Sequence, residues 1–121
     1  MRIHWLRVAV AALAVEVVLL GIALPLNMSE RGQATLLALV IPMCVSATFL
    51  GGWWTAKKVD SLFILHGLLM GAVAALIYGA LTLKVTLPTA YIVANYLKLI
   101  GGAAGGLLVR LLRRRKAEPA D

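Results

Sequence analysis

The chain has 121 residues, 62% of them hydrophobic and only 14% charged, with a mean hydropathy of +0.94. Soluble domains run at about 45–50% apolar and about 25% charged, and so short a chain cannot hide this much apolar surface in a water-soluble core. The composition excludes an ordinary soluble domain and makes lipid the solvent, so the net charge of +7 informs through its placement along the chain.

A membrane-crossing helix needs about 20 mostly apolar residues to traverse a hydrocarbon core about 30 Å thick. Residues 8–26 form the first such run. Arg2 and Arg7 ahead of it resemble the charged start of a secretory signal. The run is longer than a signal's apolar region, holds Glu16 at its middle and lacks a small-x-small cleavage site, so it is expected to remain as a span. A polar link with Gly32 leads to the second span, 34–54, which contains Cys44. That cysteine is the only one, so there is no disulfide or C-x-x-C framework and it reads as a small buried hydrophobe. A charged link with Lys57, Lys58 and Asp60 precedes the third span, 62–83. The link 84–89 carries Pro88, a helix-start signal, ahead of the fourth span, 90–112. Residues 113–121 read as a charged, frayed cytoplasmic tail. None of the runs alternates with period two, and links this short make neighbours antiparallel. The predicted fold is all-α: one integral membrane domain over 1–121, a four-transmembrane-helix up-down bundle.

Basic residues set the expected orientation. Arg2, Arg7, Lys57, Lys58, Arg110, Arg113, Arg114, Arg115 and Lys116 fall on one side, against Arg31 and Lys84 on the other. The positive-inside rule puts the first group, and both termini, in the cytoplasm, which implies the inner (plasma) membrane. Trp5, Trp53, Trp54 and Tyr91 lie near span ends, where amphipathic rings favour the interface. The run Arg110, Arg113, Arg114, Arg115 and Lys116 directly follows a span. It reads as a topology anchor contacting anionic lipid head groups and not as a nucleic-acid site.

Helices in lipid associate by close packing and hydrogen bonds, because lipid tails are as apolar as leucine. Gly67, Gly71, Ala75 and Gly79 form a ladder of four-residue steps on the third span. Gly101–Gly105 and Gly102–Gly106 are overlapping G-x-x-x-G pairs on the fourth, and Ala34–Ala38 and Ala47–Gly51 are weaker pairs on the second. The expected tightest contact joins the third and fourth spans. The same packing is available for self-association or for docking into a larger membrane complex.

Two charges sit inside spans. Glu16 and Lys98 each lie eight residues past a span start, about 12 Å deep from opposite sides, so their levels differ by only about 6 Å in a core of about 30 Å. Tyr91, Asn95, Lys98, Gly102 and Gly105 follow helical spacing along one stripe, as do Ala9, Ala12, Glu16 and Ala23. A charge in the bilayer faces the bundle interior or a wet cavity. The structural reading is a buried Glu16–Lys98 ion pair with Asn95 beside it; the functional reading makes Glu16 a proton site. His66, near the start of the third span, reads as a hydrogen-bonding residue, with haem or chlorin ligation the competing role. No Ser/His/Asp or paired-carboxylate constellation is present in the sequence, and no cofactor, metal or enzymatic activity is expected.

The run Gly51-Gly52-Trp53-Trp54-Thr55-Ala56-Lys57-Lys58, followed by His66-Gly67-Leu68-Leu69-Met70-Gly71 and closed by Gly101-Gly102-Ala103-Ala104-Gly105-Gly106, resembles the YrzE-like family of small four-helix bacterial membrane proteins. That likeness implies the four-helix fold and no particular chemistry. Glu16 and Leu87-Pro88 are also similar to features of the small multidrug-resistance transporters. The chain departs from them in lacking their third-helix tryptophan and Gly-x-Gly, in carrying Lys98, and in its strong charge bias. The expected role is a non-enzymatic packing or accessory subunit; the alternative is a small proton-coupled transporter using Glu16.

Overall fold

The computed structural model describes residues 3–59 and 62–117, with side chains as far as Arg115. Arg2, Asp60, the Lys116 side chain and the last four residues of the expected tail lie outside the described residues. The described chain forms four helices: α1 (Trp5–Leu26), α2 (Glu30–Ala56), α3 (Phe63–Leu81) and α4 (Thr89–Ala117). All four are long and apolar enough to cross a membrane.

Of the boundaries that differ from the sequence reading, the two largest have identifiable reasons. α2 starts four residues early because Ser29 caps it. The Ser29 hydroxyl accepts from the Gly32 N–H at 3.0 Å, and Glu30 stands in the first turn, where an acidic group favours the helix dipole. An apolarity criterion passes over such a polar first turn. α4 continues through Arg113–Ala117, so that part of the expected frayed tail is helical. Arginine and lysine are good helix formers and suit a helix C-terminus.

α4 lies in the groove between α2 and α3 and packs on both, so α2 shares the seam that the glycine ladder suggested for α3 alone. The two G-x-x-x-G pairs sit one residue apart, about 100° around the helix, so each serves a different neighbour. Gly101 and Gly105 face α2: a β-carbon at Gly101 would meet the Thr48 hydroxyl, and one at Gly105 the Phe49 carbonyl. Gly102 and Gly106 face α3, against the carbonyls of Gly67 and Phe63. Gly71 meets the Lys98 carbonyl. The three helices converge at the Gly102 carbonyl oxygen, on which a β-carbon at either Gly52 or Gly67 would land. Glycine here removes the atom that would hold the backbones apart.

Gly79 does not belong to this seam. Nothing lies within 4 Å of where its β-carbon would be, so its assignment to helix packing is corrected. The ladder stops at Ala75, whose carbonyl accepts from Asn95 Nδ2 at 3.2 Å. Gly52 was missed, although Thr48, Gly52 and Ala56 repeat at four-residue steps, and Thr48 and Ala56 are fully buried. On the first-span stripe, Ala9 is exposed while Ala12 and Glu16 are buried.

α1 packs on α2 and α3 and, among the described residues, makes no close backbone approach to α4. The main core joins Val8, Ala12, Val15 and Leu19 of α1 to Cys44, Met70, Ala74 and Ala94. A second cluster of Ala56, Val59 and Val109, with Trp53 and Phe63, closes the basic end.

Candidate functional site

The side chains of Glu16 and Lys98 bridge the gap between α1 and α4. Lys98 Nζ donates to Glu16 Oε1 at 2.5 Å, and each side chain is 2% exposed. The same ammonium stands 4.5 Å from the centre of the Tyr78 ring on α3. One cation is therefore held by a carboxylate from one helix and an aromatic face from another. Removing two charges from water costs several kcal/mol each, so a buried pair persists only with contact geometry of this kind and further support for the charges. A desolvated cation–π contact supplies about 2 kcal/mol of that support.

Two polar atoms of the cluster have no protein partner: Glu16 Oε2 and Asn95 Oδ1. Both residues line a cavity of about 70 Å³ that also touches Cys44, Tyr78, Tyr91 and Lys98. Its wall is contributed by Leu19, Leu20 and Ala23 of α1 and by Leu36, Val40 and Met43 of α2. These positions occupy the half of the bundle nearer the 27–29 and 82–88 connectors, the end at which Gly79 is open. The structure thus brings together Glu16, Lys98 and Asn95, the three residues singled out in the sequence, and adds Tyr78. That tyrosine is not singled out in the sequence reading. Its spacing, three residues past Ala75 and seven past Gly71, puts it on the face of the small-residue ladder and is the signal the sequence carries.

His66 is fully buried and both ring nitrogens are engaged. Nε2 accepts from the His4 backbone N–H at 3.1 Å, and Nδ1 is paired with the Leu62 carbonyl at 2.8 Å. With Nε2 accepting, Nδ1 carries the proton and donates. Leu62, immediately before α3, holds a left-handed backbone with φ 57°, a conformation that costs a non-glycine residue about 1–2 kcal/mol. Its carbonyl also accepts from the His66 N–H at 2.9 Å. His66 therefore ties the start of α1 to the start of α3, and a haem or metal would have to displace one of these bonds.

Two arginines at the basic end are committed to backbone carbonyls. Arg7 Nε donates to the Thr55 carbonyl at 3.1 Å, a terminal guanidinium nitrogen donates to the Trp54 carbonyl, and the group lies over the Trp54 ring. Arg113 donates to the Lys57 carbonyl at 2.6 Å and stacks over Phe63. The last carbonyls of a helix have no intrahelical donor, and these two side chains supply donors to the end of α2 from α1 and α4. The structure thus gives Arg113 a place inside the fold, whereas Arg110, Arg114 and Arg115 are exposed. No known protein family, curated protein or solved structure matches the chain.

Proposed function

We propose that this chain is a small non-enzymatic protein of the inner (plasma) membrane that serves as a packing or accessory subunit, associating with itself or with a larger membrane complex. The observation that carries the reading is the Glu16–Lys98 pair. Opposite charges at one depth neutralise each other, and both are spent on joining α1 to the remaining helices. The adjoining cavity, about 70 Å³, is far below the roughly 300–1,000 Å³ of small-molecule sites. The excess of basic residues at one end supports cytoplasmic termini, with Arg110, Arg114 and Arg115 free to meet anionic head groups.

The unpartnered Glu16 Oε2 favours a second reading, a small proton-coupled transporter. Reconstitution separates the two. The accessory reading predicts that extraction in mild detergent keeps the chain in an assembly larger than one copy, and that proteoliposomes take up no protons in response to candidate substrates. Substrate-driven proton uptake that Glu16→Gln abolishes without loss of stability would establish the transporter.

A further inference from the structure

We propose that the cavity between the four helices is a water-binding site, open toward the side of the membrane that holds the 27–29 and 82–88 connectors and sealed from the other. The proposal rests on the geometry of the pair and not on an accessory role for the chain.

The site presents matched hydrogen-bonding needs. Glu16 Oε2 and Asn95 Oδ1 are buried acceptors without a partner, and both residues line the cavity. Lys98 has three N–H donors; one reaches Glu16 Oε1 and the ammonium faces the Tyr78 ring. A ligand that satisfies this set donates twice and accepts once. Water does so, donating to Glu16 Oε2 and Asn95 Oδ1 and accepting from Lys98. The charges of Glu16 and Lys98 cancel, so the pocket holds no net charge to attract an ion. Its size agrees: about 70 Å³ exceeds the roughly 10–15 Å³ that one water needs and is below the roughly 300–1,000 Å³ of small-molecule sites. The titratable groups facing it are Glu16 from α1, Cys44 from α2, Tyr78 from α3, and Tyr91 and Lys98 from α4. On the inner side, Val15, Met70 and Ala74 fill the bundle, and Gly71 lies against the Lys98 carbonyl. Water therefore enters from the connector side and stops at the ion pair, which places a carboxylate and a thiol within reach of solvent on one side only.

Cys44 is a native reporter of this arrangement. Its thiol reacts with methanethiosulfonates only as thiolate, which forms in water and not in hydrocarbon. Membrane vesicles are treated with 2-aminoethyl methanethiosulfonate on one side while a free thiol scavenger occupies the other. Met28→Cys in a Cys44→Ala background marks the connector side, because Met28 is 87% exposed. Thr48→Cys in the same background is the dry control, one turn deeper at a fully buried position. The expected result is labelling of Cys44 from the same side as Met28→Cys, on the order of tenfold faster than from the opposite side and than Thr48→Cys from either. Ala23→Leu, which fills the cavity, slows Cys44 labelling by a similar factor. The proposal is overturned if Cys44 labels as slowly as Thr48→Cys, if it labels from the side opposite Met28→Cys, or if a well-folded Ala23→Leu leaves its rate unchanged. Wild-type labelling decides the matter even where Ala23→Leu does not fold.

Discussion

The two ways of breaking the Glu16–Lys98 pair are predicted to have unequal costs. Lys98→Met strands a carboxylate that is 2% exposed: Oε1 loses the ammonium, and Oε2 has no protein partner already. Removing one member of a buried pair typically costs 3–5 kcal/mol, and about that much is expected here. Glu16→Gln leaves the ammonium beside a neutral amide and still 4.5 Å from the Tyr78 ring. That contact retains about 2 kcal/mol and brings the expected loss down to about 1–3 kcal/mol. The double change leaves two neutral side chains and an imperfectly bonded amide, for a loss of about 1–2 kcal/mol. The cycle should therefore show a coupling of at least about 2 kcal/mol. An ordinary interhelical hydrogen bond averages only about 0.6 kcal/mol, so the magnitude identifies the interaction. The assay is equilibrium unfolding in mixed micelles, followed by circular dichroism for the four proteins of the cycle. Single effects that add to the double within about 0.5 kcal/mol would show that the two side chains are not paired, and a larger loss for Glu16→Gln than for Lys98→Met would show that the Tyr78 ring does not hold the ammonium.

The glycine seam makes a positional prediction. Gly102→Ala and Gly67→Ala each push a β-carbon into a backbone carbonyl and should cost about 1–3 kcal/mol, whereas Gly79→Ala should be neutral or stabilising by up to about 1 kcal/mol in the same assay. His66→Ala removes the bonds to His4 and Leu62; a loss of about 1–3 kcal/mol should appear with faster amide exchange at His4, and unchanged exchange there would contradict the tether. Arg113→Leu should lose about 1–2 kcal/mol through its carbonyl contact, while Arg114→Leu, on the exposed face, should stay within about 0.5 kcal/mol of wild type. A reporter fused after Asp121 should be active only when it is one that works in the cytoplasm; activity of a periplasmic reporter there would invert the proposed orientation.

Span number and order were legible because hydrophobic length is a strong signal against a solvent of fixed thickness. The Glu16–Lys98–Asn95 cluster was legible because rare intramembrane charges at matched depth have few other places to go. The share of α2 in the glycine seam was not. A repeat of small residues says that a helix face is flat, not which neighbour uses it. The one-residue offset between the two G-x-x-x-G pairs of α4, which sends Gly101 and Gly105 to α2 and Gly102 and Gly106 to α3, has meaning only once two neighbours are in place. Gly79 continued the repeat without continuing the contact, because the sequence repeat does not reveal where α3 leaves α4. Arg7 and Arg113 went unrecognised as caps because the carbonyls they serve lie 48 and 56 residues away. Only Ser29, a local cap, was within reach of sequence reasoning.

Two opposite charges bonded among the four helices tie α1 to α4. Solid-state NMR of the protein in lipid bilayers, with ¹⁵N at lysine Nζ and ¹³C at the glutamate carboxyl, tests this pairing through dipolar recoupling. Strong dephasing is expected between the nitrogen and the carboxyl carbon of a pair whose N–O separation is 2.5 Å, with loss of that signal in Lys98→Met. Absence of short-range dephasing in the wild type, or dephasing that survives Lys98→Met, would contradict the pairing.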